Sequence, residues 1–250
     1  MRYFFQTSYN GAQYHGWQRQ NNAPSVQETI ETRMSTLLQE DISITGSGRT
    51  DKGVHCKKQF FHTDIKKPVE PDELIYKLNS FLPGSIAIHA AYKVPDDAHA
   101  RFDAVRRTYD YFITLQKDPL FSDTSLYVYG PLRTRLMGQA AQTIIGTHDF
   151  TSFSKVKTDV NTFICTVYQA SWKKRGQMLI FNISANRFLR GMVRALVGTM
   201  LEVGKGNMTP NEFREVLLAR DRKRAGSAVA PQGLVLTDVQ YPEGLLINQQ

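Results

Sequence analysis

The chain opens on Arg2-Tyr3-Phe4-Phe5, a β-prone aromatic run, and residues Met1 to Tyr9 read as a strand. The period then changes. Val26, Ile30, Met34, Leu37 and Leu38 recur at three- and four-residue spacing, which predicts an amphipathic helix. Ser25 stands at its N-cap, with Glu28 placed to complete a capping box. A short β-like run, Ile42 to Thr45, leads into a Gly-rich loop, and a strand follows from Lys58 to Asp64. Pro71 opens a second helix whose Leu74, Ile75, Leu78 and either Phe81 or Leu82 form the apolar stripe, stopped by Pro83-Gly84. Ile86 to Val94 alternates as a strand. The first half therefore reads β-α-β-β-α-β.

The second half repeats that order. Arg107 to Leu115 is predicted as a strand with Tyr109, Tyr111 and Ile113 on one face, and Leu132 to Ile145 as a helix closed by Gly146. Phe163 to Trp172 and Met178 to Ser184 form a strand pair around a basic turn, Lys173-Lys174-Arg175-Gly176. Arg187 to Val203 and Pro210 to Ala219 read as helices, and Leu234 to Tyr241 as a last strand. The fold class is α+β: two pseudo-symmetric split-βαβ, ferredoxin-like halves, 1–103 and 104–250, with no sequence repeat between them. Together they should give a mixed, mainly antiparallel sheet. Helices on one face would leave the other free for a ligand, in a cleft between the two sheets. The connections Asp118 to Gly130 and His148 to Asn161 are expected as long loops.

Charge narrows the choice of ligand. The net charge is +8, yet through Asp103 twelve Lys and Arg face twelve Asp and Glu, so the whole excess, nineteen against eleven, lies beyond it. A basic half points to a polyanion, most commonly nucleic acid. Two cysteines, Cys56 and Cys165, give no disulfide framework, no apolar run approaches a membrane span, and no basic, apolar leader is seen, so the cytoplasm is expected. Cys-x-x-Cys, His-Glu-x-x-His and the nucleotide P-loop are all missing, and neither a metal nor a cofactor is expected.

Three stretches hold candidate chemistry. Gly46 to Cys56 places Arg49, Thr50 and Asp51 among three glycines on a loop between strands, an arrangement suited to presenting a functional side chain. Arg187, Arg190 and Arg194 would lie within about 60° of one another on their helix, opposite Leu189, Met192, Val193, Leu196 and Met200, and with no acid from Asn186 to Leu201 they suit phosphate. Tyr109 and Tyr111 alternate with charge in Arg106-Arg107-Thr108-Tyr109-Asp110-Tyr111, a combination that fits base stacking beside phosphate binding.

Gly48-Arg49-Thr50-Asp51-x-Gly53-Val54-His55 resembles the signature of the TruA family of tRNA pseudouridine synthases. Three further stretches match in order: Tyr14-x-Gly16-Trp17-Gln18-Arg19-Gln20, Arg107-x-Tyr109-x-Tyr111, and Asn186-x-Phe188-Leu189-x-x-Met192-Val193-Arg194. The resemblance implies the pseudouridine synthase fold, a homodimer, and isomerisation of uridines 38, 39 and 40 in the tRNA anticodon arm without metal or cofactor. It also implies that Asp51 is the catalytic aspartate, that Tyr109 stacks on the target uracil, and that Arg194 pairs with the carboxylate. Arg49 is then the arginine beside the catalytic acid, suited to fill the space of a flipped base. Weaker RNA contacts are expected from Trp17, Arg19, Arg107, Lys173, Lys174, Arg187 and Arg190. Departures from the family pattern, Cys56, Cys165 and Ser8-Tyr9-Asn10, spare the key positions.

Two other readings compete. Tandem RRMs share the β-α-β-β-α-β order, but Lys57-Lys58-Gln59-Phe60-Phe61-His62 lacks the Gly-rich RNP1 pattern. A metal-dependent nuclease wants clustered acids, and Asp51 has no acidic neighbour in sequence.

Overall fold

A computed structural model describes residues 1–155 and 160–246. In chain order its elements are β1 (Arg2–Tyr9), α1 (Val26–Leu38), β2 (Thr45–Gly46), β3 (His55–Asp64), α2 (Pro71–Phe81), β4 (Ile86–Val94), β5 (Arg106–Thr114) and β6 (Leu126–Tyr127). After these come α3 (Thr134–Gln142), β7 (Gly146–Asp149), β8 (Ile164–Arg175), β9 (Met178–Ala185), α4 (Met192–Lys205), α5 (Pro210–Ala219) and β10 (Leu234–Gln240). The α+β class and its mainly antiparallel strand pairing are as expected. Two compact units emerge: Met1–Arg106 with Val235–Gln250, and Arg107–Leu234. The final strand thus groups with the first unit, where the sequence alone puts the division at 103/104. Among the described residues no helix is long and apolar enough to cross a membrane.

In the first unit β1 lies between β4 and β3, antiparallel to both, and β10 extends the sheet through a parallel contact, Val235 and Leu236 opposite His55 and Cys56. Phe5 and Phe61 are register partners and stack at 5.2 Å on one face, where Trp17 also meets Phe61. Phe4 points the other way. That face is covered by Ala98, Ala100, Tyr92 and Tyr241, with Leu245 and Leu246 against them. Some of the surface expected to be open to a ligand is therefore closed by the unit's own chain. The short run Ile42 to Thr45 pairs with β3 only from Thr45, which lies opposite His62, and buried Ile42 and Ile44 pack without a ladder.

Helix α1 begins with Ser25 Oγ accepting from the Glu28 amide at 3.2 Å, but the expected capping box is only half formed, since the Glu28 carboxylate lies toward Arg19 Nε at 3.8 Å. Val26, Ile30 and Met34 are buried, but Leu37 and Leu38 are only half-buried, and Gln27 and Glu31 go inside in their place. In α2, Leu74 and Leu78 are buried; Leu82, just past the helix, completes the stripe while Phe81 faces solvent.

The second unit orders its main strands β5-β9-β8-β7, all antiparallel, and β6 pairs in parallel with β5 at Ile113. Tyr111 and Ile113 are buried on the face shared with Phe181 and Leu179. The long connections are less bare than expected. Pro119–Phe121 forms a 3-10 turn before β6, and Gly146, expected to end a helix, opens β7; residues 156–159 of the other loop lie outside the described residues. Helix α3 is shorter than the predicted Leu132 to Ile145. Lys173, Lys174 and Arg175 belong to the β8 ladder, Arg175 opposite Met178, and the turn is Gly176-Gln177 with Gly176 at φ +58°.

Candidate functional site

The loop carrying Asp51 is held by a second loop, residues 10–20, laid against it backbone to backbone. The Trp17 amide donates to the Thr50 carbonyl at 3.3 Å, the Gly53 amide to the Tyr14 carbonyl at 3.2 Å, and the Gly11 amide to His55 Nδ1 at 3.1 Å. Glycine permits this approach. Gly16 adopts φ +99°, and a Cβ there would overlap the Thr50 carbonyl oxygen; one on Gly46 would enter the Trp17 indole. Within its own loop the Val54 amide donates to the Asp51 carbonyl at 3.2 Å, closing the turn around Gly53, whose φ is +76°. Asp51 is half-buried, between buried Thr50 and exposed Lys52.

Arg49 is exposed, its Nε donating to Gln18 Oε1 at 3.1 Å, so this cation is held toward solvent by the neighbouring loop. Trp17 is corrected. At 1% exposure, with its ring tilted on Tyr9 and Phe61, it is the core of the loop pair and offers no stacking surface to RNA. Arg19 is partly spent on structure: its amide donates to Gln27 Oε1 at 3.1 Å, and its guanidinium lies 3.4 Å from Glu31 Oε2. Gln27 Nε2 in turn donates to Glu31 Oε1 and to the Ile44 carbonyl, and the Ile44 amide donates to Glu31 Oε1. This buried polar network ties the 10–20 loop, and the run leading into the Asp51 loop, to α1. Glutamine and glutamate at helical spacing look like a solvated face in the sequence, which is why the network went unseen.

In the second unit, Tyr109 is half-buried and meets the edge of Phe188, centroids 5.1 Å apart. Alternation along β5 puts it on the same side as Tyr111, whose hydroxyl donates to the Ala230 carbonyl at 2.7 Å. Burial raises the Tyr111 pKa, and the Arg194 charge opposes that rise. Arg194 Nε donates to the Val229 carbonyl at 2.7 Å, and the Val229 amide returns a bond to the Arg194 carbonyl at 3.1 Å. The guanidinium is thereby fixed in direction.

The predicted stripe of three helical arginines is corrected. Helix α4 starts at Met192, after Gly191 in the left-handed region at φ +72°, so Arg187 and Arg190 precede it and only Arg194 is helical. Asn186 explains the late start. Its Oδ1 accepts from the amides of Arg187 (2.8 Å) and Thr166 (2.9 Å), and its carbonyl accepts from Arg107 Nη1 (2.8 Å). Asn186 thus gathers Arg107 and Arg187 at one point, a role that competition between asparagine and helix could have suggested. Burial pushes the Cys165 thiol up to about 11, and the Arg187 charge pulls the other way. Arg190 is exposed, as are Lys173 and Lys174 along β8. Among the described residues no three His, Cys, Asp or Glu side chains gather to hold a metal.

A family profile described as tRNA pseudouridine synthase matches residues 6–103 and 140–242. Among curated proteins, tRNA pseudouridine synthase A of Porphyromonas gingivalis is 44% identical over 98% of this chain and 99% of its own length. The protein of that name from Bacteroides thetaiotaomicron is 44% identical over 99% and 93%. A more distant one, from Colwellia psychrerythraea, is 38% identical over 97% and 95%.

Proposed function

Because the chain belongs to the tRNA pseudouridine synthase family, and so to the isomerases that act on tRNA, we propose that it converts uridines 38, 39 and 40 of the anticodon arm to pseudouridine. It acts in the cytoplasm as a homodimer, with no metal or cofactor. The reaction breaks the C1′–N1 bond, turns the uracil over and joins C1′ to C5, whose proton leaves to solvent while N1 gains one. Nothing is oxidised.

In this reading Asp51 is the reacting carboxylate. It serves either by adding to C1′ or by removing a proton on the way to a glycal-like intermediate. The supporting observation is its presentation, a half-buried acid on a turn clamped by backbone hydrogen bonds with the 10–20 loop. Tyr109 stacks on the uracil and retains it during rotation, with Phe188 bracing the ring. Arg194 is the basic partner of the carboxylate, its direction set by Val229. Exposed Arg49 enters the stem as the target base flips out. Arg107, Arg187, Arg190, Lys173 and Lys174 bind phosphate, and Arg19 contributes through the part of its side chain left to solvent.

Tritium release from C5 of labelled uracil in tRNA tests the assignment. Asp51→Asn and Asp51→Ala should abolish release while tRNA affinity stays within about threefold, since the phosphate contacts are untouched. Release by either variant would remove Asp51 from the chemistry.

A further inference from the structure

Beneath Thr50, on the side away from solvent, lies a hydroxyl that the reaction scheme does not use. Tyr9 closes β1 and is 4% exposed. Its hydroxyl lies 2.9 Å from Thr50 Oγ1 and donates to Gln59 Oε1 at 3.4 Å. Thr50 is 8% exposed and Gln59 fully buried.

The proton inventory sets the polarity of this chain. A phenol has one proton, and an amide oxygen only accepts. With Tyr9 donating to Gln59, the Thr50 hydroxyl donates to Tyr9, so each hydroxyl proton of the series has one acceptor, while the buried Gln59 Nε2 has no hydrogen-bond partner among the described residues. Burial keeps the nearby Cys56 thiol protonated, and it too borders the Tyr9 hydroxyl. Thr50 is consequently held twice, through its side chain from β1 and through its carbonyl by the Trp17 amide. Asp51 is the next residue.

We propose that Tyr9 is a positioning residue for catalysis: through the Thr50 hydroxyl, backed by Gln59, it sets the direction in which Asp51 leaves the loop. The inference rests on the reading of Asp51 as the reacting acid. Its physical basis is that a catalytic group misplaced by about 1 Å loses rate steeply, while substrate binding elsewhere is undisturbed. Removing the Tyr9 hydroxyl takes the acceptor from Thr50 and the donor from Gln59, and removing the Thr50 hydroxyl takes from Tyr9 the bond it accepts; either way the tie between β1 and the turn is lost, and the turn can recover it only by shifting.

The test measures kcat, KM and tRNA Kd by tritium release and filter binding for the full chain. The variants are Tyr9→Phe, Thr50→Val, Thr50→Ser and the double variant Tyr9→Phe/Thr50→Val, with Asp51→Ala alongside. Tyr9→Phe and Thr50→Val should each lower kcat about tenfold with KM and Kd within twofold. Thr50→Ser, which keeps the hydroxyl, should restore most of the rate. The double variant should be no slower than the slower single one, because both changes remove one shared bond. Full kcat in Tyr9→Phe beside an inactive Asp51→Ala overturns the positioning role and leaves the catalytic assignment standing. Losses that multiply in the double variant, or that fall on Kd instead of kcat, overturn it equally. Turnover by Asp51→Ala would remove the reading beneath it.

Discussion

Asp51 and Arg194 are presented by opposite means. The acid sits on an irregular turn fixed by hydrogen bonds from a second irregular loop, and tolerated only because Gly16 and Gly46 carry no side chain. The arginine sits in the first turn of a helix buried along most of its length, tied down by reciprocal bonds with Val229. A regular element distributes constraint over many equivalent residues, so single changes soften it. A loop pair concentrates constraint in a few atoms, and losing one of them moves the group it carries.

Two glycines sharpen the contrast. Gly16→Ala meets both a left-handed backbone and the Thr50 carbonyl, so the loops must part; turnover should fall at least a hundredfold in the tritium assay. Gly191→Ala, at the start of α4, meets the same conformational penalty at φ +72° but open space. It should cost only about 1 kcal/mol in denaturant unfolding and leave kcat within about threefold. Equal damage from the two substitutions would erase the distinction.

Between them in size stands a pH effect confined to the first unit. His62 Nδ1 accepts from the Ala100 amide at 3.1 Å, and burial, then the neighbouring His99 and Arg2 charges, hold its pKa down to about 4. The unfolded chain, near 6.5, binds the proton more readily, so the neutral ring's contribution is intact above about pH 6.5 and is lost as pH falls toward 4. The loss should approach roughly 3 kcal/mol, at about 1.4 kcal/mol for each pH unit of displacement. Thermal unfolding followed from pH 7 to pH 4 should show it, and His62→Gln, which keeps an acceptor, should flatten the slope.

The smallest effect separates the second unit's arginines. Arg190→Ala should weaken tRNA binding about threefold to tenfold and reduce the salt slope by roughly one, as for one released counterion. Unchanged salt dependence would place the RNA on another surface.

Strand and helix order were legible in the sequence because α1, α2 and α5 each bury residues at helical spacing behind clear start signals, and β1 is a run of β-prone aromatics. The start of α4 was not, since Arg187 to Val203 keeps helical spacing throughout and only the Asn186 side chain and Gly191 interrupt it. Of the candidate site, Asp51 and Arg49 stood out through their glycine setting. Trp17 was misjudged because an indole beside basic residues looks the same in sequence whether it faces RNA or a glycine. Gln27, Glu31 and Tyr9 act through buried hydrogen bonds, which leave no trace in a hydrophobic pattern.

The return of β10 to pair with β3 has a consequence during synthesis. His55 and Cys56, just past the Asp51 turn, leave the ribosome long before Val235 and Leu236, the residues they pair with. Until those arrive, that border of the nascent sheet is an open template, the kind of edge on which unfinished chains aggregate. A ribosome stalled in the second unit would thus release a polypeptide that carries the acid but not the strand that seals its sheet.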